Sequence, residues 1–184
     1  MTDFKLEDYF KLSESEKQIL NKQIEDFIIT QGNKGLYISL TYNAKGKVEN
    51  LIKATYDGYL AELCALEHLR QFNPTASFKF IDNEAGYFKF TKSPTNSPDI
   101  IDEFGNTYEV KCYKWYSNKI YINTYLSDKN RVINELFHNA DNIIFVNKDR
   151  THGFMLTKQE LRTKLKQIPN NPGYTNSCWV LEFR

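Results

Sequence analysis

The run Pro98-Asp99-Ile100-Ile101-Asp102-Glu103-Phe104-Gly105-Asn106-Thr107-Tyr108-Glu109-Val110-Lys111 constrains this chain more than any other segment. It reads as two short strands joined at Phe104-Gly105-Asn106, a hairpin-type turn signal. Side chains alternate across a strand with period two, so Glu109 and Lys111 share one face and Val110 takes the other. Closing the turn brings Asp99 opposite the Glu109–Lys111 stretch. Two carboxylates and an ammonium then converge on one spot. Such a group suits a hard divalent cation and a water activated for attack on a phosphodiester. The plainer reading of the same residues is a surface salt-bridge cluster on a hairpin.

The neighbouring sequence predicts what surrounds the hairpin. Ser13-Glu14-Ser15-Glu16 fits a capping box, and Ile19, Leu20, Ile24, Phe27 and Ile28 follow at helical spacing until Gln31-Gly32-Asn33-Lys34-Gly35. Residues 36–42 are rich in strand formers, 43–46 read as a turn, and a second helix spans about 55–72. Strands are predicted at 77–81, 87–91, 99–102, 108–115 and 119–125, then a helix over 127–139 capped by Ser127 or Asp128. The continuous apolar run 142–146 marks a buried central strand, and 153–156 another. Thr157-Lys158-Gln159-Glu160 is a capping box opening a helix to about residue 167, a loop covers 169–173, and 178–183 closes with a strand. The order predicts an α/β fold: a central mixed, mostly antiparallel sheet with helices on both faces, the hairpin in its middle and an N-terminal helical extension. A single domain over 1–184 fits the length, with 1–50 as the extension and 51–184 as the core.

On a helical wheel of the second helix, Gly58, Tyr59, Ala61, Leu63, Ala65, Leu66, Leu69 and Phe72 gather on one arc, and Glu67, His68, Arg70 and Gln71 on the other. Glu62 falls near the centre of the apolar arc. A carboxylate there needs a partner: a metal, a lysine or a water network. The plainer alternative is a misread boundary or a side chain snorkelling at the edge.

Composition excludes several classes. Apolar residues make up 41% and aromatics 15%, enough for a core, and no apolar run approaches a membrane span. The N-terminus lacks a signal-peptide layout, so a cytoplasmic address is expected. Cys64, Cys112 and Cys178 lie far apart without paired spacing, which predicts reduced thiols, and His68, His138 and His152 show no ligand spacing. The net charge of +1 means that any nucleic-acid binding must use clustered positive charge.

With Pro98-Asp99, a ten-residue step and Glu109-Val110-Lys111, the chain resembles the PD-(D/E)XK nuclease superfamily, most of all its type II restriction-endonuclease branch. Gly58-Tyr59-Leu60-Ala61-Glu62 is similar to the upstream helix whose glutamate often joins the site in these nucleases. The resemblance covers roughly residues 57–146 and implies a restriction-endonuclease-like core. It further implies Mg²⁺ held by Asp99, Glu109, the Val110 carbonyl and Glu62, with Lys111 polarising the attacking water. Asp99, Glu109, Lys111 and Glu62 are thus the expected catalytic residues.

Downstream, Lys114, Trp115, Tyr116, Asn118 and Lys119 interleave cations, aromatics and an amide that suit phosphates and bases. Lys129, Asn130 and Arg131, at a helix start, form a second candidate contact, with a plain cap and solvated turn as the alternative. The expected partner is double-stranded DNA, with a homodimer or a partner nuclease subunit for two-strand cutting; Leu6, Tyr9 and Phe10 are a candidate dimer element. Three functions fit: a sequence-specific restriction endonuclease, a repair or recombination nuclease acting on branched or damaged DNA, and a non-catalytic DNA-binding or assembly subunit.

Overall fold

The computed structural model describes residues 2–5, 12–33, 48–81, 97–168 and 177–183. The strands expected at 36–42 and 87–91, the turn at 43–46, the loop at 169–173 and the segment with Leu6, Tyr9 and Phe10 lie outside those residues.

Both capping boxes form. The Glu16 carboxylate accepts from the Ser13 N–H at 2.7 Å while the Ser13 hydroxyl accepts from the Glu16 N–H at 3.3 Å, opening α1 (Glu14–Asn33). Its Leu20, Ile24 and Ile28, one face at i, i+4 spacing, pack on Tyr59, Leu60 and Leu63 of α2 (Val48–Phe72). The opposite side of α2 offers Ala61, Ala65, Leu66 and Leu69 to the main sheet. Phe72, expected on the buried arc, is 71% exposed because it is the last helical residue. His68, placed on the polar arc by the wheel, is buried.

The strands are β1 (Thr2–Lys5), β2 (Phe78–Phe80), β3 (Ile100–Asp102), β4 (Thr107–Tyr113), β5 (Lys119–Thr124), β6 (Asn142–Asn147), β7 (His152–Thr157), β8 (Leu165–Ile168) and β9 (Ser177–Glu182). Six form a sheet in the order β1-β7-β6-β4-β3-β2, antiparallel except for the parallel pair β4·β6. The expected α/β architecture, a mixed and mostly antiparallel sheet flanked by helices with an N-terminal helix, is the one observed. Strand alternation divides its core. Tyr108, Val110, Ile144 and Val146 face α2, whereas Ile143, Phe145, Phe154 and Leu156 face the other way.

Three local expectations change. The strands β5, β9 and β8 make a separate antiparallel sheet whose Ile120, Ile122, Trp179 and Leu181 cover the second face. The helix after Thr157, α4 (Lys158–Lys164), stops short of residue 167: Leu165 turns to extended backbone and pairs with Leu181, so the last residues of the predicted helix become β8. The helix expected over 127–139 is one turn, α3 (Lys129–Arg131), followed by a wider π turn, Val132–Leu136, which delivers Phe137 edge-on to Phe145.

Burial holds His68 neutral, pushing its imidazole down from 6.5 to about 4. A depressed histidine stabilises the fold above its unfolded value and loses that contribution as pH falls toward the folded value. Stability is therefore expected to decline between pH 6.5 and about 4 by on the order of 3 kcal/mol from this group. Denaturant melts of the wild type and His68→Gln across that window check it, the variant showing the flatter acid limb.

Candidate active site

Asp102 builds the turn that sets the site. Its carboxylate accepts from the N–H groups of Phe104 at 2.9 Å and Asn106 at 2.8 Å, the Asn106 amide at 2.8 Å and the buried Tyr108 hydroxyl at 3.1 Å. Burial alone would raise the Asp102 pKa, but these donors outweigh it and hold the carboxyl below its ordinary value. Gly105 sits at φ +87°, a conformation that L side chains rarely adopt. Asp102→Ala strips four bonds and leaves the Tyr108 hydroxyl unmatched. It is expected to cost about 2–4 kcal/mol, readable as a lower thermal midpoint.

The turn aligns β3 with β4 so that Ile100 lies opposite Tyr108. Asp99, one residue earlier, therefore stands opposite Glu109. The Asp99 N–H donates to the Tyr108 carbonyl at 3.0 Å, and its Oδ2 accepts from the Val110 N–H at 2.8 Å. N–H and C=O of one strand residue point to the same side, so the Val110 carbonyl also faces the Asp99 side, past the last β3–β4 ladder pair.

On the face away from α2, Lys111 Nζ donates to Glu109 Oε1. Glu109 is 1% exposed and Asp99 7%, so two desolvated carboxylates and an ammonium stand together. Burial pulls the Lys111 pKa down, but the Glu109 and Asp99 charges pull harder, and it ends above its ordinary value. At neutral pH Lys111 is a cationic donor, not a base. Glu109 Oε2 has its own partner, His138 Nδ1 at 3.0 Å, which the sequence reading missed.

Glu62 is buried, as the wheel expected, but it belongs to the helix on the Val110 face, whereas Glu109 and Lys111 project from the opposite face. Hydrogen bonds tie Asp99 to the Val110 N–H, and Glu109 to Lys111 and His138. Among the described residues no three or more His, Cys, Asp or Glu side chains gather into a metal site. An ion here would take two carboxylates, a carbonyl and water, an oxygen set of the kind Mg²⁺ uses.

The downstream candidates separate. Lys114 is exposed with its ammonium 5.2 Å from the centroid of the exposed Tyr116 ring. Trp115 turns inward, its ring centroid 4.8 Å from Phe183 and 5.4 Å from Phe154, so its ring packs on core aromatics. The Asn118 carbonyl accepts from the Phe183 N–H, and Lys119 pairs with Glu182 at 2.8 Å. Lys129 donates to the Arg162 carbonyl at 3.1 Å, Asn130 is exposed, and Arg131 pairs with Glu135 at 2.7 Å. The Asp128 side chain accepts from the Arg131 N–H at 2.9 Å, so the cap reading of this turn is realised.

Among the described residues no helix is long and apolar enough to cross a membrane. No protein-family model, curated protein or solved structure matches the chain.

Proposed function

We propose that the protein is a Mg²⁺-dependent DNA endonuclease of the PD-(D/E)XK kind, working as a sequence-specific restriction enzyme in the cytoplasm. The observation that carries this is the convergence of Asp99, Glu109 and the protonated Lys111 on one end of a paired hairpin. The plain alternative, a salt bridge on a hairpin surface, fits poorly with Glu109 at 1% exposure, since surface pairs keep their solvation.

Asp99, Glu109 and the Val110 carbonyl would hold the ion. Bound there, Mg²⁺ supplies Lewis-acid charge and makes a coordinated water a stronger nucleophile. The Val110 N–H holds Asp99 Oδ2 and so aims the carboxylate. Lys111 would direct an N–H at the attacking water or at a phosphoryl oxygen, where negative charge builds in the transition state. Glu62 would act only by reaching the site from the helix behind the strand.

Exposed Lys114, Tyr116, Asn130 and Arg131 would meet the duplex. Phosphate contacts position and base contacts specify, so near-neutral net charge puts the burden on a few directed groups. Two copies, or one copy with a partner subunit, would cut both strands of a symmetric site. Incubation with phage DNA and Mg²⁺ tests this function. A limited, reproducible set of fragments supports it. A smear with preferential cutting of four-way junctions favours a repair or recombination enzyme, and binding without cleavage a non-catalytic subunit.

A further inference from the structure

His138 enters the site from 29 residues downstream of Glu109. Its Nδ1 lies 3.0 Å from Glu109 Oε2 and 3.0 Å from the Ser97 carbonyl oxygen. Both neighbours are acceptors, so this nitrogen carries the hydrogen whether the ring is neutral or charged. One imidazole edge therefore ties the β4 carboxylate to the backbone two residues before Asp99.

The chain accepts strain to make that contact. His138 and Asn139 sit at φ +48° and +54°, consecutive left-handed residues without a glycine. The turn is held from both sides. The Asn139 N–H donates to the Ile133 carbonyl at 3.2 Å, the Ala140 N–H to the Phe137 carbonyl at 3.1 Å, and Lys158 Nζ to Asn139 Oδ1 at 2.9 Å. Glycine at 138 would make the same turn without the steric cost. A histidine there has its reason in what its ring touches.

We propose that His138 is a positioning residue, which fixes the Glu109 carboxylate relative to Asp99 so that both face one cation. This rests on the nuclease reading of the site. Groups that orient metal ligands typically change metal affinity or activity by about 10–100-fold when removed.

His138→Gly and His138→Asn test the proposal, with Mn²⁺ alone as the binding probe in calorimetry and the Mg²⁺ dependence of cleavage as the second readout. His138→Gly is expected to fold with a thermal midpoint close to or modestly below wild type, the relieved left-handed backbone partly offsetting the lost Glu109 contact, to weaken Mn²⁺ binding about 10–100-fold and to raise the Mg²⁺ needed for half-maximal cleavage in parallel. The rate at saturating Mg²⁺ should fall much less. His138→Asn, with an amide donor near the Nδ1 position and tolerance of the left-handed region, should recover most of the affinity. Nitrogen-15 NMR of the wild-type imidazole gives a reading independent of any variant's folding: a hydrogen on Nδ1 supports the contact. The Nε2–H tautomer, or Mn²⁺ affinity and Mg²⁺ requirement within twofold of wild type in His138→Gly, overturns the proposal. Wild-type protein that binds Mn²⁺ but never cuts DNA removes the nuclease reading and leaves the His138 assignment to be judged by the tautomer and the affinities. Wild-type protein that does not bind Mn²⁺ overturns both.

Discussion

Lys111→Ala is expected to lower Mg²⁺-dependent DNA cleavage by about 100- to 1000-fold, the usual loss when one charge-stabilising donor leaves an active site. Among the described residues, the other donor to Glu109, His138 Nδ1, is shared with the Ser97 carbonyl and so does not replace the ammonium. The variant also leaves a buried Glu109 carboxylate beside Asp99 without its cation, so its stability should fall by about 3 kcal/mol. Far-UV circular dichroism at the assay temperature separates lost chemistry from lost fold. Lys111→Arg keeps the charge but not the compact ammonium, so it should retain most of the stability and little of the cleavage. Wild-type cleavage in Lys111→Ala would move the catalytic site elsewhere.

Asp99→Ala should abolish cleavage as well, and here the structure changes the expected stability. From sequence, two facing acids suggest repulsion, so that removing one would leave metal-free stability unchanged or slightly raised. Asp99, however, accepts the Val110 N–H at 2.8 Å and shares the Lys111 charge with Glu109. Its loss orphans a buried backbone donor and weakens the hold on the ammonium. Metal-free Asp99→Ala is therefore expected to be about 1–3 kcal/mol less stable than wild type. Asp99→Asn, whose amide oxygen still accepts the N–H, should lose less stability while losing cleavage equally. Urea melts in EDTA, paired with cleavage assays in Mg²⁺, check both variants.

The parts of the site that were legible in the sequence are those written locally. The hairpin follows from Gly105 at positive φ and from the period-two placement of Glu109, Val110 and Lys111. Asp99 follows from the turn, which fixes register as soon as its residues are known. Both capping boxes were readable because their partners lie three residues apart. The architecture followed from the alternation of apolar runs and turn signals.

What escaped is non-local. His138 belongs to no spacing pattern; it reaches Glu109 because a π turn and two left-handed residues swing it there, and Asn at 139 was the sole local hint. The second sheet depends on β5 meeting β9 across the chain, and periodicity within either strand does not name its partner. The helix opened by the Thr157 capping box was expected to run to about residue 167, yet pairing of Leu165 with Leu181 ends it at Lys164. Trp115, just beyond the end of β4, packs toward Phe154 and Phe183, a contact its neighbours Lys114 and Tyr116 do not predict.

The most direct measurement is conversion of supercoiled plasmid to nicked and linear forms by the purified chain, in Mg²⁺ and in EDTA. Efficient conversion in Mg²⁺, none in EDTA and none by Glu109→Ala in Mg²⁺ is the predicted result. Plasmid left intact by wild-type protein at every Mg²⁺ concentration, or cut equally well in EDTA, would contradict a metal-dependent nuclease centred on Asp99, Glu109 and Lys111.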